Sequence, residues 1–300
     1  MTGENDAAPR LSDHFERGSA LGLLARRHPY DFVETYEVLE RAYGYTSRYV
    51  NLGLWPDGLV DDSEGLDPGA RLMRYLCDRS ELRSAARVLD VGSGLGQGAL
   101  DLARWLAADE VVGVNLNERQ IAFANALAAA AGKASSVRHL RLDACAALEA
   151  SLGTGSFDAA FAVECVGHFR APEAFFQGLH AVLRPGAPFV CCFNCAKGEL
   201  PFAFRLMLQA SYGFVPKTVG TFYEALVRAG FDVVEQGDLT EPVLEEGATR
   251  VLARLRDPEV RAALPRLITG LVERQLEITL DAVTRGRLGY AWILARKRPL

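Results

Sequence analysis

Residues 88–98 read VLDVGSGLGQG, where a run of apolar residues gives way to four glycines at every second position. The apolar run is typical of a buried β-strand, and residues 98–106 after it have the periodicity of a helix. Glycines at a strand-to-helix turn let the backbone adopt positive φ and approach a ligand closely. The stretch therefore predicts a ligand-binding turn in an α/β fold.

Strand-like and helix-like segments alternate on both sides of this turn. Such an order predicts a mainly parallel sheet with helices on both faces, a doubly wound α/β fold. The seven predicted strands are 87–91, 111–115, 137–142, 157–163, 189–193, 231–235 and 289–297, and the predicted helices between them include 98–106, 118–131, 173–183 and 221–229.

The chain also carries more residues than one such sheet needs. Residues 1–80 are rich in aromatic side chains and mostly helical in pattern, which predicts an N-terminal cover on a core domain of residues 81–300. Within the core, residues 199–220 and the helical stretch 244–284 are too long for simple connections and predict cap insertions. We expect the caps to lie over the carboxyl ends of the strands, where ligands of open α/β sheets bind.

Composition excludes several classes of protein. Of the 300 residues, 49% are hydrophobic and 24% charged, which is ordinary globular usage and excludes a disordered chain. A net charge of -5 leaves no basic field, so we expect no nucleic-acid partner. No stretch has the length and apolarity of a membrane span, and the polar N-terminus lacks the pattern of a signal peptide, which predicts no membrane insertion and a cytoplasmic location.

The six cysteines favour reduced, buried thiols over a metal centre. Three of them, Cys191, Cys192 and Cys195, lie in the apolar run PFVCCFNCA, which predicts a buried strand. No second pair of cysteines or histidines at metal-ligand spacing accompanies them, and we expect no metal site.

Glycine spacing limits the kind of nucleotide. Counted from Gly92, the dinucleotide fingerprint G-x-G-x-x-G fails at Gln97. Counted from Gly94 it reaches Ala99, which the relaxed form allows, so a dehydrogenase stays open as a minor alternative. No Lys-Ser or Lys-Thr follows the turn, which excludes a P-loop.

Acidic residues follow three of the predicted strands. Asp90 precedes the glycines, Asp143 follows the third strand and Glu164 follows the fourth. Carboxylates at one edge of a parallel sheet suit a ligand with cationic groups better than a pyrophosphate.

The ordered set of motifs resembles the class I S-adenosylmethionine-dependent methyltransferases (EC 2.1.1). The matching segments are VLDVGSGLGQGALDLA, GVNLNERQIAFAN, RLDA, FDAAFAVECVGHF and LRPGAPFV, and the resemblance covers residues 40–240. Among these enzymes the chain is most similar to small-molecule methyltransferases of natural-product and antibiotic biosynthesis, including those acting on sugars and macrolides. It is also similar to the sterol and cyclopropane-forming enzymes, with which it shares an aromatic segment like YVNLGLW. The resemblance implies a Rossmann-like fold, S-adenosyl-L-methionine as cofactor, and a small-molecule acceptor.

The resemblance also implies roles for particular residues. Asp90 and the turn would hold the methionine end, and Asn115, in place of the usual acid, would share the ribose with the amides that follow it. The full predicted cofactor set is Tyr49, Asp90, Gly92, Gly94, Gly96, Asn115, Leu116, Asn117, Gln120, Asp143, Ala144 and Glu164.

Methylation of a hydroxyl is favoured by one residue just past the fourth strand. His168 is a candidate base, because an imidazole with an ordinary pKa of about 6.5 can take a hydroxyl proton. Glu164 is its candidate partner or an alternative base. Predicted acceptor contacts are Tyr49, Trp55, His168, Phe202 and Met207.

Several alternatives stay open at this point. C- and N-methylation are not excluded, and some relatives of this fold are cyclases that use the cofactor structurally, because a fold alone does not fix function. A homodimer through the N-terminal helices is a further expectation.

Overall fold

A computed structural model describes residues 42–44, 48–56, 58–60, 64–169, 171–212, 214–264 and 266–299. Its centre is a seven-stranded sheet in the order β3-β2-β1-β4-β5-β7-β6. The first five strands run parallel, and β7 lies antiparallel between β5 and β6. The strands are β1 (Arg87–Val91), β2 (Glu110–Asn115), β3 (Val137–Arg141), β4 (Ala159–Val163), β5 (Pro188–Ala196), β6 (Phe231–Asp238) and β7 (Leu288–Lys297). The prediction of a doubly wound, mainly parallel seven-stranded sheet is confirmed.

Helices cover both faces of this sheet. In chain order they are α1 (Pro68–Arg79), α2 (Gln97–Trp105), α3 (Glu118–Ala130), α4 (Leu148–Leu152), α5 (Pro172–Val182), α6 (Phe202–Tyr212), α7 (Val219–Arg228), α8 (Glu246–Arg256), α9 (Pro258–Ala262) and α10 (Arg266–Thr284). A short 3₁₀ turn (Val166–His168) follows β4, and a π-helical turn (Thr240–Glu245) precedes α8.

Alternate strand residues face two separate hydrophobic clusters. On one face Cys192 packs with residues of α1, α2, α8 and α10, and on the other Cys191 packs with residues of α4, α5 and α7. This is the period-2 alternation of a sheet buried on both sides. All six cysteines are free thiols, as the sequence predicted.

The helical stretch predicted at residues 244–284 contains three helices, α8, α9 and α10. Asp257 leaves the helical region, with φ -62° and ψ 127°, and its side chain caps the next helix by accepting from Glu259 N and Val260 N. Pro258 explains the break, because the residue before a proline is disfavoured in the α region. The cap role of residues 199–220 and 244–284 stays a prediction. So does the division at residue 80, since most of residues 1–80 are outside the described ranges.

In the described ranges, no helix is long and apolar enough to cross a membrane. The predicted cytoplasmic location and homodimer remain predictions.

Candidate functional site

The glycine turn between β1 and α2 has the backbone that its sequence predicts. Gly92, Gly94 and Gly96 have φ values of +71°, +50° and +89°. A Cβ on Gly92 would lie 2.5 Å from Cys165 Cβ, and one on Gly96 would lie 2.6 Å from Ala124 Cβ. Only glycine fits both the dihedral angles and the space, so the turn is built for close packing and a bare backbone.

A cleft opens beside this turn, at the carboxyl ends of β1 and β4. It is bounded by the turn, the start of α2 and the segment of residues 48–51. The lining residues are Arg48, Tyr49, Val50, Asn51, Met73, Asp90, Gly92, Ser93, Gly94, Leu95, Gly96, Gln97, Gly98 and Val163. Five predicted cofactor residues therefore meet in one cleft: Tyr49, Asp90, Gly92, Gly94 and Gly96.

Asp90 gives this cleft its electrostatic character. The side chain is buried, and burial raises the pKa of the carboxyl to about 7. Among the described residues, burial is the cause of this shift. A buried carboxylate costs free energy unless it is paired, so this group suits a ligand that brings a cationic donor. An ammonium group such as that of S-adenosylmethionine fits this requirement.

The predicted ribose residues form a local network at the end of β2. Asn115 Nδ2 donates to Gln120 Oε1 at 2.7 Å, and Asn115 Oδ1 accepts from Leu116 N at 2.8 Å. Asn117 caps α3 by accepting from Arg119 N and Gln120 N. These side chains lie together as predicted, but they shape the loop and are outside the lining of the cleft.

The predicted adenine residues follow β3. Asp143 Oδ1 accepts from Cys145 N at 2.9 Å, which fixes the loop. Ala144 is buried in the hydrophobic cluster of α4, α5 and α7. Both residues lie at the same sheet edge as the cleft, next to β2.

Residues 48–56, called the strap below, form an irregular segment whose first four residues line the cleft. Tyr49 Oη donates to Asp101 Oδ2 at 2.9 Å, and Gln97 Nε2 donates to the same oxygen at 3.2 Å. Farther along, Leu54 N donates to Pro68 O and Trp55 N donates to Pro242 O. The strap is thus bonded to α2, to the start of α1 and to the turn before α8.

Glu164 joins the strap to the sheet. Its Oε1 accepts from Leu52 N at 3.2 Å and from Tyr290 Oη at 2.9 Å. Burial raises the pKa of this carboxyl to about 7. Its backbone has φ +56°, which is strained for a residue with a side chain. The two bonds assign Glu164 a positioning role at the strap, whereas the sequence had offered it as a base or as the partner of His168.

His168 ends the 3₁₀ turn after β4 and is exposed. Its ring packs on Phe214, with centroids 4.2 Å apart. Phe214 belongs to the predicted cap insertion 199–220, so the candidate base contacts a residue of that insertion.

The other predicted acceptor contacts are spread out. Trp55 donates from Nε1 to Leu52 O at 2.7 Å and lies under the Arg250 guanidinium. Phe202, at the start of α6, is 79% exposed. Met207 packs against a small cluster formed by α6, α10 and the adjoining strand ends. None of these three lines the described cleft, and their contact with an acceptor stays a prediction.

The fifth strand extends beyond its predicted end at residue 193. β5 continues to Ala196 because it pairs with β7 along its whole length. Asn194 Oδ1 is buried without a hydrogen-bond partner among the described residues.

Three site residues were missed or given little weight. Asp101 and Tyr290 help to hold the strap. Asp101 accepts from Tyr49, which lies 52 positions earlier in the chain, and Tyr290 donates to Glu164, which lies 126 positions earlier. His139 lies in the middle of β3, yet its Nδ1 is 3.1 Å from Ser93 Oγ in the glycine turn. β3 reads VRHLR, with polar residues at three of its five positions, so no local signal singled out His139.

Comparison with known families and proteins agrees with this geometry. The model of a family described as "Methyltransferase domain" matches residues 88–186. The chain is 25% identical to the O-methyltransferase resE of Aspergillus sclerotiorum, over 83% of this chain and 89% of that protein. It is 26% identical to the O-methyltransferase cnsE of Penicillium expansum, over 90% of this chain and 93% of that protein.

Solved structures share the fold. A putative sarcosine dimethylglycine methyltransferase from Galdieria sulphuraria superposes with a TM-score of 0.75 at 17% identity, covering 88% of this chain and 98% of that one. Other structures of the same fold hold S-adenosyl-L-methionine or S-adenosylhomocysteine.

Proposed function

We propose that the chain is a class I S-adenosylmethionine-dependent methyltransferase that methylates a small-molecule acceptor, with a hydroxyl oxygen favoured as the methyl acceptor. The observation that carries the proposal is the cleft of Asp90 and the three positive-φ glycines at the strand ends. Two relatives that align with most of the chain are named O-methyltransferases. The resemblance of the motifs to natural-product enzymes supports a secondary metabolite as the acceptor.

The cleft and the loops that follow β2 and β3 would divide the cofactor between them. Asp90 and the glycine turn would hold the methionine end, the Asn115 loop the ribose, and Asp143 with Ala144 the adenine. Bound there, the cofactor would supply an electrophilic methyl group on a sulfonium. The chain itself would position the acceptor relative to that methyl group. Good orientation of two reactants is worth about 7–11 kcal/mol in model reactions.

His168 is the residue that we assign to proton removal. It follows β4 at the strand ends where the cleft opens, and its exposed ring can meet an acceptor under Phe214. An imidazole nitrogen would take the hydroxyl proton as the oxygen attacks. Glu164, which is already bonded to Leu52 N and Tyr290 Oη, is better suited to holding the strap. Tyr49, Trp55, Phe202 and Met207 remain proposed contacts for a bulky, partly apolar acceptor.

Methyl-labelled cofactor and a panel of hydroxylated small molecules test this function. We expect label in the product, and we expect His168→Ala to lower turnover at least ~100-fold with unchanged affinity for S-adenosylhomocysteine. His180→Ala is the matched control, because His180 packs on Phe231 away from the cleft. A rearranged product of unchanged mass would indicate cyclase chemistry, and near-full turnover of His168→Ala would refute the assigned base.

A further inference from the structure

The imidazole of His139 lies directly under the glycine turn, on a side of the cleft that the function described above does not use. His139 is 3% exposed and belongs to β3, where it pairs with Gly113 of β2. Its Nδ1 lies 3.1 Å from Oγ of Ser93, the turn residue that follows Gly92 and lines the cleft. The ring is therefore one hydrogen bond away from the wall of the cleft.

The surrounding chain leaves a space of the right shape for this ring. A Cβ on Gly113 would overlap the imidazole, and one on Gly96 would lie 3.0 Å from Nε2. The backbone of His139 is also fixed, because its N–H donates to Asn125 Oδ1 at 2.8 Å and its carbonyl accepts from Asn125 Nδ2 at 3.0 Å. Two glycines and an asparagine thus set the position of one side chain.

Simple space filling does not explain a histidine here. Nε2 is buried without a hydrogen-bond partner among the described residues, and burying such a nitrogen costs free energy. An apolar side chain would avoid that cost. The hydrogen bond to Ser93 is what the imidazole provides in return.

Ser93 connects this bond to the ligand-binding backbone. Gly92 N and Ser93 N both donate to Val114 O, so the backbone of the turn is bonded to β2. The side chain of Ser93 is bonded to β3 through His139. The turn is therefore supported from two strands, at the two residues where its backbone leaves β1.

We propose that His139 is a positioning residue for the cofactor, which holds the Ser93 side of the glycine turn in the shape that receives the methionine end. The inference rests on the cleft being the cofactor site, as assigned above. His139 does not touch the reacting atoms, so its loss should weaken cofactor binding and leave the chemical step nearly unchanged.

Calorimetric titration with S-adenosylhomocysteine tests the proposal. We expect His139→Leu and Ser93→Ala each to raise Kd about 10-fold, the size of one lost hydrogen bond that fixes a binding loop. The double variant should be no weaker than either single variant, because both remove the same bond. In turnover assays KM for the cofactor should rise while kcat stays within about 2-fold of the unmodified enzyme.

Two conservative variants separate the hydrogen bond from the bulk of the ring. Asparagine places its amide close to the position of Nδ1, whereas glutamine reaches toward Nε2. His139→Asn should therefore stay within about 3-fold of the unmodified Kd, and His139→Gln should resemble His139→Leu. His180→Leu should leave Kd unchanged, and thermal melts define the temperature at which every variant is folded.

The outcomes distinguish two kinds of failure. If the unmodified chain does not bind S-adenosylhomocysteine, the proposed function fails. If it binds and both His139→Leu and Ser93→Ala bind equally well, or if their losses simply add, only the role of His139 is refuted. Should His139→Leu not fold, Ser93→Ala and His139→Asn still decide the question.

Discussion

At the scale of single residues, the protonation state of Asp90 should control cofactor affinity. Its pKa is about 7 because burial disfavours the charged form, and a bound ammonium would favour that form. Binding should therefore release a proton below about pH 7, and affinity should rise between pH 6 and pH 8. Titration calorimetry with S-adenosylhomocysteine in buffers of different ionisation enthalpy measures that proton.

Glu164 provides the matched control, because burial raises its pKa to about 7 as well. Asp90→Asn should abolish the proton release and weaken binding, whereas Glu164→Gln should keep the release. Equal affinity at pH 6 and pH 8 for the unmodified chain would contradict the role of Asp90.

At the scale of elements, the strap should depend on the carboxyl group of Glu164. Glu164→Ala removes the acceptor of Leu52 N and the partner of Tyr290 Oη. We expect faster hydrogen exchange at the Leu52 amide and faster release of S-adenosylhomocysteine. Tyr290→Phe should have a smaller effect, because it keeps the bond to Leu52. Exchange followed by mass spectrometry and stopped-flow release measure the two effects.

Glu164→Gln separates the strap from acid–base chemistry. Glutamine keeps an oxygen that accepts from Leu52 N, so protection of that amide should persist. If His168 is the base, this variant retains most of its turnover. A loss of ~100-fold or more with an intact strap would make Glu164 the base.

Local sequence signals predicted most helices and strands, because neighbouring residues alone determine these elements. The strand before the glycines and the cap of α3 at Asn117 depend on neighbouring residues alone. The extension of β5 to Ala196 does not, because Asn194 and Cys195 become strand only through pairing with β7. Pro258 is a local signal for the helix break at Asp257. The helical periodicity on both sides of it obscured that signal.

At the scale of the whole molecule, the sequence predicted the sheet and one half of the site. Asp90 and the glycines are adjacent in sequence, so a single motif placed them together. Glu164 and Tyr290 come together only because β7 is inserted beside β5. No local pattern encodes that insertion, so the contact between these two residues was beyond sequence reasoning.

The stability of the folded chain should couple to pH through three buried groups. Asp90 and Glu164 have raised pKa values of about 7, so the native state binds more protons than the unfolded state between about pH 4 and pH 7. Their contribution is lost as pH rises through that window. His139 has a pKa lowered by burial to about 4, so its contribution is lost as pH falls from about 6.5 to about 4. Between pH 6 and pH 8 the two carboxyls dominate the pH dependence of stability. The ligand-free chain should therefore become less stable as pH rises from 6 to 8.

Cofactor product should offset part of that loss, because its ammonium would pair with the ionised Asp90. At a ligand concentration 100 times Kd, binding stabilises a protein by about 2.7 kcal/mol, which corresponds to a rise in Tm of roughly 5 °C for a chain of this size. At one fixed concentration of S-adenosylhomocysteine, the rise in Tm should be larger at pH 8 than at pH 6, since affinity is higher there. Differential scanning calorimetry of the unmodified chain and of Asp90→Asn measures it. The difference between the two pH values should disappear in Asp90→Asn, and its persistence there would move the linked proton to another group.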